Sequence, residues 1–369
     1  MVTGVGRGRL LRVAVIFIFE PLITHMKSFL FAAFFCTITA TGIAQVTDTS
    51  GVDDMDYSQF GDAQGVKRYA TQKVLNQTPN RIVSIGYEYH GGFDMPDVPL
   101  GGMLPAMQDL RMRRVGGLRA QVNIPVVSTN KVIWQLGANY MFSGYRLDGA
   151  TTNAFGKRLE ASGLHTAGIN TTVFKPLNEK NFLILQASAD LNGAFEQLSA
   201  INSKAMTYSA TAIYGWKTSE KNMVGTGIAR TYRAGQLIYV PVLFWNRTFN
   251  DRWGMELLLP ARGHLRYNIS TSNILQLGFE LEGNQYWMSA PYEPVRGELF
   301  VQRGEVKPRI MWDKKLSGFF WLNLQAGLRY NYRFDAMNEY DARKDNLRWY
   351  EGKLGNPFYF NVSLNFVSP

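Results

Sequence analysis

From residue 80 to the end of the chain, apolar and polar residues alternate one for one, segment after segment. That period belongs to strands, whose successive side chains point to opposite faces, and not to helices. Val83, Ile85, Tyr87 and Tyr89 share one face against Ser84, Gly86 and Glu88, and Leu118, Ala120, Val122 and Ile124 alternate with Gly117, Arg119, Gln121 and Asn123. Within 132–143 the apolar set is Val132, Trp134, Leu136, Ala138, Tyr140 and Phe142; within 182–191 it is Leu183, Leu185, Ala187, Ala189 and Leu191. Residues 319–332 continue it with Phe320, Leu322, Leu324, Ala326, Leu328, Tyr330 and Tyr332. A soluble sandwich alternates too. Here, however, the polar face carries Arg, Glu, Gln and Asn at successive positions, as a wet lumen does. Trp and Tyr also gather near strand ends (Tyr145, Trp216, Trp245, Trp253, Tyr286, Trp287, Trp312, Tyr332), as interfacial girdles do. The expected fold is all-β, a transmembrane antiparallel up-and-down barrel in the outer membrane. A mean hydropathy of −0.15 is too polar for a bundle of membrane helices and natural for a barrel with only one lipid-facing face.

Turn lengths set the strand count. Short polar turns fall at 128–131, 176–179, 218–220, 250–251, 271–272 and 313–315, and longer links at 91–110, 146–162, 193–203, 288–297 and 334–356. In such barrels short turns face the periplasm and long loops the exterior. Strict alternation of the two leaves strands 253–259 and 274–287 running the same way. Residues 264–270, with Leu265, Tyr267 and Ile269 on one face, remove the conflict if Pro260–Gly263 is a tight outer turn. The count is then about fourteen strands; twelve is the alternative.

Ahead of the barrel, residues 26–44 read as a signal peptide. Lys27 supplies its positive end, Phe29 to Thr39 its apolar core and Gly42-Ile43-Ala44 its cleavage site. Residues 1–25 read as a non-native N-terminal extension, with Met26 the preferred start over Met1, and residues 45–79 as a largely flexible periplasmic lead before the barrel at 80–369. The one cysteine, Cys36, falls in the signal, so the exported chain has no thiol for a disulfide, a thiolate metal site or a nucleophile. Four scattered histidines supply no metal centre, and no cofactor is expected. Removal of residues 1–44 leaves 35 basic and 28 acidic side chains (39 − 4 and 29 − 1). The excess is spread over alternating strands rather than gathered in a stripe, so nucleic acid is not an expected partner.

The chain closes on PFYFNVSLNFVSP, where Phe358, Phe360, Val362, Leu364 and Phe366 share a face. Such a strand is similar to the signal that the barrel assembly machinery recognises. Taken with YATQKVLNQTPNRIVSIGYEY (69–89) and LLLPARGHLRYNIS (257–270), it resembles an uncharacterised outer-membrane β-barrel family of Gram-negative bacteria, described by a domain of unknown function. The resemblance implies fold and location, with outer-membrane lipid as surroundings, and carries no catalytic residue.

Chemistry is concentrated on the inner face. The lumen-facing charged candidates are Glu256, Arg266, Glu280, Glu282, Arg303, Glu305, Lys307, Arg309 and Arg329. Glu282 is expected opposite Arg303, and Glu256 opposite Arg266; cross-strand pairs of opposite charge contribute about 0.2–1 kcal/mol each. Two readings stand side by side: a charged constriction in a wet pore, or a polar ladder that fills the barrel and keeps it shut. In an open pore the surplus of Arg119, Arg266, Arg303, Lys307, Arg309, Arg329 and Arg333 favours small anionic solutes. Met95, Met103, Leu104 and Met107 line an apolar entry or an inward-folded plug. The expected function is a passive channel or transporter for small solutes. The alternatives are a closed structural or partner-binding barrel and a lipid-modifying enzyme. An enzyme would need His90 or His165 to activate Ser143, Ser162 or Ser199; no motif ties them together, and no enzyme is expected.

Overall fold

The computed structural model describes residues 69–95, 110–149, 154–195, 202–292, 295–341, 348–352 and 354–368. The proposed extension, signal peptide and first part of the lead lie outside the described residues, as do Met103, Leu104, Met107 and Ser199.

Among the described residues fourteen staves pair antiparallel in chain order and close on themselves. They are β1 (Arg81–His90), β2 (Leu110–Ser128), β3 (Ile133–Leu147), β4 (Leu164–Pro176), β5 (Asn181–Gly193), β6 (Met206–Ser219) and β7 (Asn222–Thr231). The second half comprises β8 (Ile238–Thr248), β9 (Trp253–Leu259), β10 (Arg262–Ser270), β11 (Asn273–Tyr292), β12 (Val295–Ser317), β13 (Phe320–Leu328) and β14 (Phe358–Val367). Three short strands extend staves past an interruption: Phe93–Met95 follows β1, Tyr330–Met337 follows β13, and Arg348–Glu351 precedes β14. β1 pairs with both β2 and β14, which seals the barrel and leaves no edge. The hairpin β9–β10, inferred from turn parity, is present and fixes fourteen over twelve.

Turn chemistry explains the short ends. Asn178 Oδ1 accepts the N–H groups of Lys180 and Asn181, Asn250 Oδ1 those of Arg252 and Trp253, and Thr129 Oγ1 those of Lys131 and Val132. Side chains of this type replace the ladder bonds that a reversing backbone loses. One turn lies elsewhere than expected. Asp313 is not in it; β12 runs on to Ser317, and the chain reverses at Gly318, whose φ of +50° suits a residue without Cβ.

Alternation resolves into inside and outside. Ile85, Tyr87 and Tyr89, Leu136, Ile169, Ile228, Leu277, Ile310 and the closing-strand set from Phe358 to Leu364 stand exposed on the outer surface, up to 67% for Ile169 and 76% for Phe358. Their neighbours Glu88, Arg266, Gln276, Lys307, Asn361, Ser363 and Asn365 are buried inside. An outer belt of that size would be insoluble in water and needs lipid. Of the residues read as girdle, Trp216, Trp253, Trp312 and Tyr332 are on that outer surface. Tyr145, Tyr286 and Trp287 are not: all three are buried. No described helix is long and apolar enough to cross a membrane; strands make the crossing.

The staves differ greatly in length. β9 and β10 have 7 and 9 residues, whereas β11 and β12 have 20 and 23 and extend far beyond them on the long-loop side. The region expected to be loop, 288–297, is therefore mostly strand. On this overhanging part both faces are covered. Tyr286, Met288, Leu299 and Val301 pack into a core with Phe93, Met95, Met112, Val115, Tyr145 and Phe334, joined by Phe155 and Leu159 of α1 (Ala154–Ser162). On its other face Trp287 and Phe300 pack with Ala205, Met337, Leu191 and Phe195. A backbone bridge from Trp287 to Gly193 and a hydrogen bond from Asn284 Nδ2–H to Asn192 Oδ1 tie the overhang to β5 on the far side of the strand order. Among the described residues the outer end of the barrel is thus a packed core.

Candidate functional site: the lumen

Below that core lies a buried charge ladder. Lys307 Nζ lies 3.0 Å from Glu88 Oε1 and 2.5 Å from Glu282 Oε2, and Arg119 Nη2 meets the same two carboxylates at 2.7 and 2.8 Å. Glu305 receives Arg303 at 2.6 Å, the Arg329 Nε–H, and Lys307 at 3.7 Å. His90 Nε2 sits 2.9 Å from Glu88. Three carboxylates and four cations thus cross-link β1, β2, β11, β12 and the β13 stave from within the bore. The register explains why. Gly86 faces Arg119, Glu88 faces Gly117 and Glu282 faces Glu305, so opposite charges meet on diagonals. Beside the ladder Gly117 lets β2 and β3 approach closely, since a Cβ there would stand 1.6 Å from the Phe142 carbonyl oxygen.

The expected candidates are distributed over three clusters. Glu282, Arg303, Glu305, Lys307 and Arg329 join the ladder, but Glu282 does not pair with Arg303. Asn284 stands opposite Arg303, and Glu282 turns to Arg119 and Lys307 instead. Glu280 and Arg309 form their own pair at 2.5 Å, with Gln325 and His264 on the same guanidinium. Glu256 and Arg266 meet at 3.0 Å across the short hairpin, although Gly254 is the residue directly opposite Arg266. Glu256 also accepts Thr78 N–H and Oγ1–H at 2.9 and 2.8 Å. Arg333 lies 3.8 Å from Asp335. The surplus of inner cations is therefore not free: each of the seven lies within 4 Å of a carboxylate.

Sequence reasoning did not single out Glu88, an acid shared by Arg119, Lys307 and His90, nor Asp313, which it left in a turn. Asp313 is buried in β12 and accepts bonds from Arg81, Gln276 and Asn323. Strict alternation carried two residues past Met311 would have found it. Of the groups weighed for hydrolysis, Ser162 donates its hydroxyl to Arg158 O, and His165 bonds Tyr140 Oη and the Ser162 carbonyl. Among the described residues no His, Cys, Asp or Glu group is arranged to hold a metal ion.

The other side of the bore is different in kind. Register rows place Gln121, Asn139, Gly168, Asp190 and Thr207 side by side, then Asn123, Gly137, Asn170, Ser188 and Ser209, then Gln135, Thr172, Gln186 and Thr211. Most of these inward side chains are reached by solvent, and Gln121 and Gln186 are exposed. Nearer the short turns the inner rows become apolar, with Phe174, Phe182 and Met223 forming a ring into which Val74 inserts. Val74 belongs to the segment 69–79, the end of the stretch read as a loose lead. That end is held firmly. Ala70 N–H bonds Asn178 O, Leu75 N–H bonds Glu220 O, Thr248 Oγ1–H bonds Leu75 O, and Lys217 Nζ reaches Lys73 O and Glu220. Burial holds the Lys73 ammonium below its ordinary pKa. The segment lies across the short-turn end as a plug.

A family model described as a domain of unknown function (DUF6268) matches residues 128–365, from the end of β2 to the last strand. The chain belongs to that family. It is an outer-membrane β-barrel. No curated protein matches the sequence. Similar solved structures include an outer-membrane channel from Pseudomonas putida F1, at 12% identity and TM-score 0.39, covering 83% of this chain and 100% of that one. A FadL homologue from Pseudomonas aeruginosa follows at 10% identity and TM-score 0.38, covering 78% and 90%. The toluene transporter TodX of Pseudomonas putida matches at 10% identity and TM-score 0.32, covering 78% and 90%. At these scores the likeness stands as description, and function has to come from the DUF6268 chain's own geometry.

Proposed function

We propose that this DUF6268 barrel is a channel for small polar solutes whose bore is held shut in the present conformation. One observation carries the reading: five consecutive staves, β2 to β6, turn solvent-reached amides and hydroxyls into the bore. A barrel serving only as a scaffold would gain by packing that wall with apolar side chains, as its outer end does. The plug at Val74, the charge ladder and the outer core then act as resistances in series at three depths, so that loosening any one of them raises flux. Cations paired this closely with carboxylates leave little field to draw anions, so the solutes are read as uncharged or weakly charged rather than anionic.

Liposome swelling tests this. Vesicles carrying the Val74→Asp protein should swell faster than native ones in small neutral sugars, with anionic solutes showing no advantage. No swelling in any solute would remove the channel reading. A second reading, a closed barrel acting through its outer end, is favoured by the packed core around Tyr286 and Phe155. Stable capture of a partner at that end, without permeation, would support it. Insertion is proposed to use the amphipathic closing strand as the handle for the barrel assembly machinery.

A further inference from the structure

At the outer rim, β2 and β3 bear a cluster of arginines that plays no part in the bore. Arg114 stands directly opposite Arg146 in the ladder, and both point outward, since their neighbours Val115 and Tyr145 are buried inside. Arg113 occupies the irregularity beside them and is exposed, and Arg111 lies two residues further along at 72% exposure. Like charges directly opposite on one sheet face repel and are disfavoured unless an anion lies between them. The nearby carboxylates only partly answer: Glu160 is 4.0 Å from Arg146, and Asp94 and Asp148 are each 3.7 Å from Arg111. Among the described residues neither Arg113 nor Arg114 pairs with a carboxylate.

What lies beneath the pair is equally specific. The next outward row holds Gly116 and Gly144, partners in register, with Tyr89 opposite Gly116 on β1. The rings of Tyr87 and Phe142 fold over these two glycines. A Cβ on Gly116 would meet Tyr87 Oη at 2.3 Å, and one on Gly144 would meet the Phe142 ring at 3.0 Å. Below them the face becomes Ile85, Leu118, Ala120 and Tyr140. Read from the membrane outward, this strip passes from aliphatic to aromatic to paired guanidinium. That is the order of acyl chain, interface and headgroup.

We propose that Arg114 and Arg146, assisted by Arg113, form a binding site for the phosphate of an outer-leaflet lipid whose acyl chains lie on the Tyr87–Phe142 strip. Guanidinium forks suit phosphate oxygens, and one phosphate bridging two of them relieves the repulsion between them. The outward direction and the aromatic strip point to a lipid headgroup over a free anion.

The test titrates the full chain, folded in zwitterionic detergent, with bisphosphorylated lipid A, with the same lipid stripped of phosphate, and with inorganic phosphate. Native mass spectrometry counts bound lipid. The double variant Arg114→Gln/Arg146→Gln is set against Lys131→Gln/Lys221→Gln, which removes the same charge at the opposite rim. The site predicts that the native chain and the Lys control prefer the phosphorylated lipid by roughly tenfold or more, that the Arg variant loses this preference, and that inorganic phosphate does not compete at equal concentration. Heat-modified gel migration checks that the Arg variant is folded. Equal binding of both lipids, an Arg variant that keeps its preference, or full competition by inorganic phosphate would each overturn the lipid site.

Discussion

Lys307 is the residue through which the charge ladder can be tested most sharply. Its side chain is 1% exposed and its ammonium touches three carboxylates, Glu88, Glu282 and Glu305, at 3.0, 2.5 and 3.7 Å. Replacing it with methionine keeps the aliphatic stem and removes the charge. Breaking a buried pair by deleting one partner costs about 3–5 kcal/mol, because the charge left behind is desolvated without compensation. The lower end applies here, since Glu88 and Glu282 keep Arg119 while Glu305 keeps Arg303 and Arg329. Lys307→Met should therefore lose about 3 kcal/mol in urea unfolding from lipid vesicles followed by tryptophan fluorescence. Adding Glu282→Gln removes one stranded carboxylate and should recover about 1 kcal/mol or more of that loss, a coupling in the range expected of groups in contact. A native-like Lys307→Met protein, or strictly additive effects in the double variant, would show that the ladder does not hold the bore together.

Other consequences are direct. Ile169→Arg, on the outer belt, should destabilise the barrel in bilayers by about 2–4 kcal/mol, whereas Gln186→Arg, facing the bore, should cost far less; equal costs would mean the inside and outside are misassigned. Gly137→Leu places a side chain among the Asn123 and Asn170 amides and should lower solute flux through a Val74→Asp protein while leaving its thermal stability close to the parent. Thr78→Val removes one of the bonds that seat the plug on Glu256, and should raise protease cleavage within 69–79 without altering cleavage elsewhere.

Much of this molecule was legible in its sequence because a barrel wall is a period-two object. The outward set from Ile85 to Leu364 could be read residue by residue, and turn parity supplied the β9–β10 hairpin. Pairing within the bore was less legible. Which diagonal neighbour a charge selects depends on stagger between strands, which sequence spacing does not encode; Glu282 therefore met Arg119 and Lys307 instead of Arg303. Tyr145, Tyr286 and Trp287 went astray for a related reason. Composition marks them as interfacial, but the overhang of β11 and β12 past the short staves folds them into a core. The segment 69–79 is polar and aperiodic, and its order comes from partners more than a hundred residues away, such as Asn178, Glu220 and Glu256.

Planar-bilayer conductance tests the central claim of a closed channel most directly. The native protein should insert with little current, and Val74→Asp combined with Lys307→Met should give discrete steps with weak selectivity between cation and anion in a salt gradient. A doubly altered barrel that inserts, keeps its folded gel migration and still passes no current would contradict the claim.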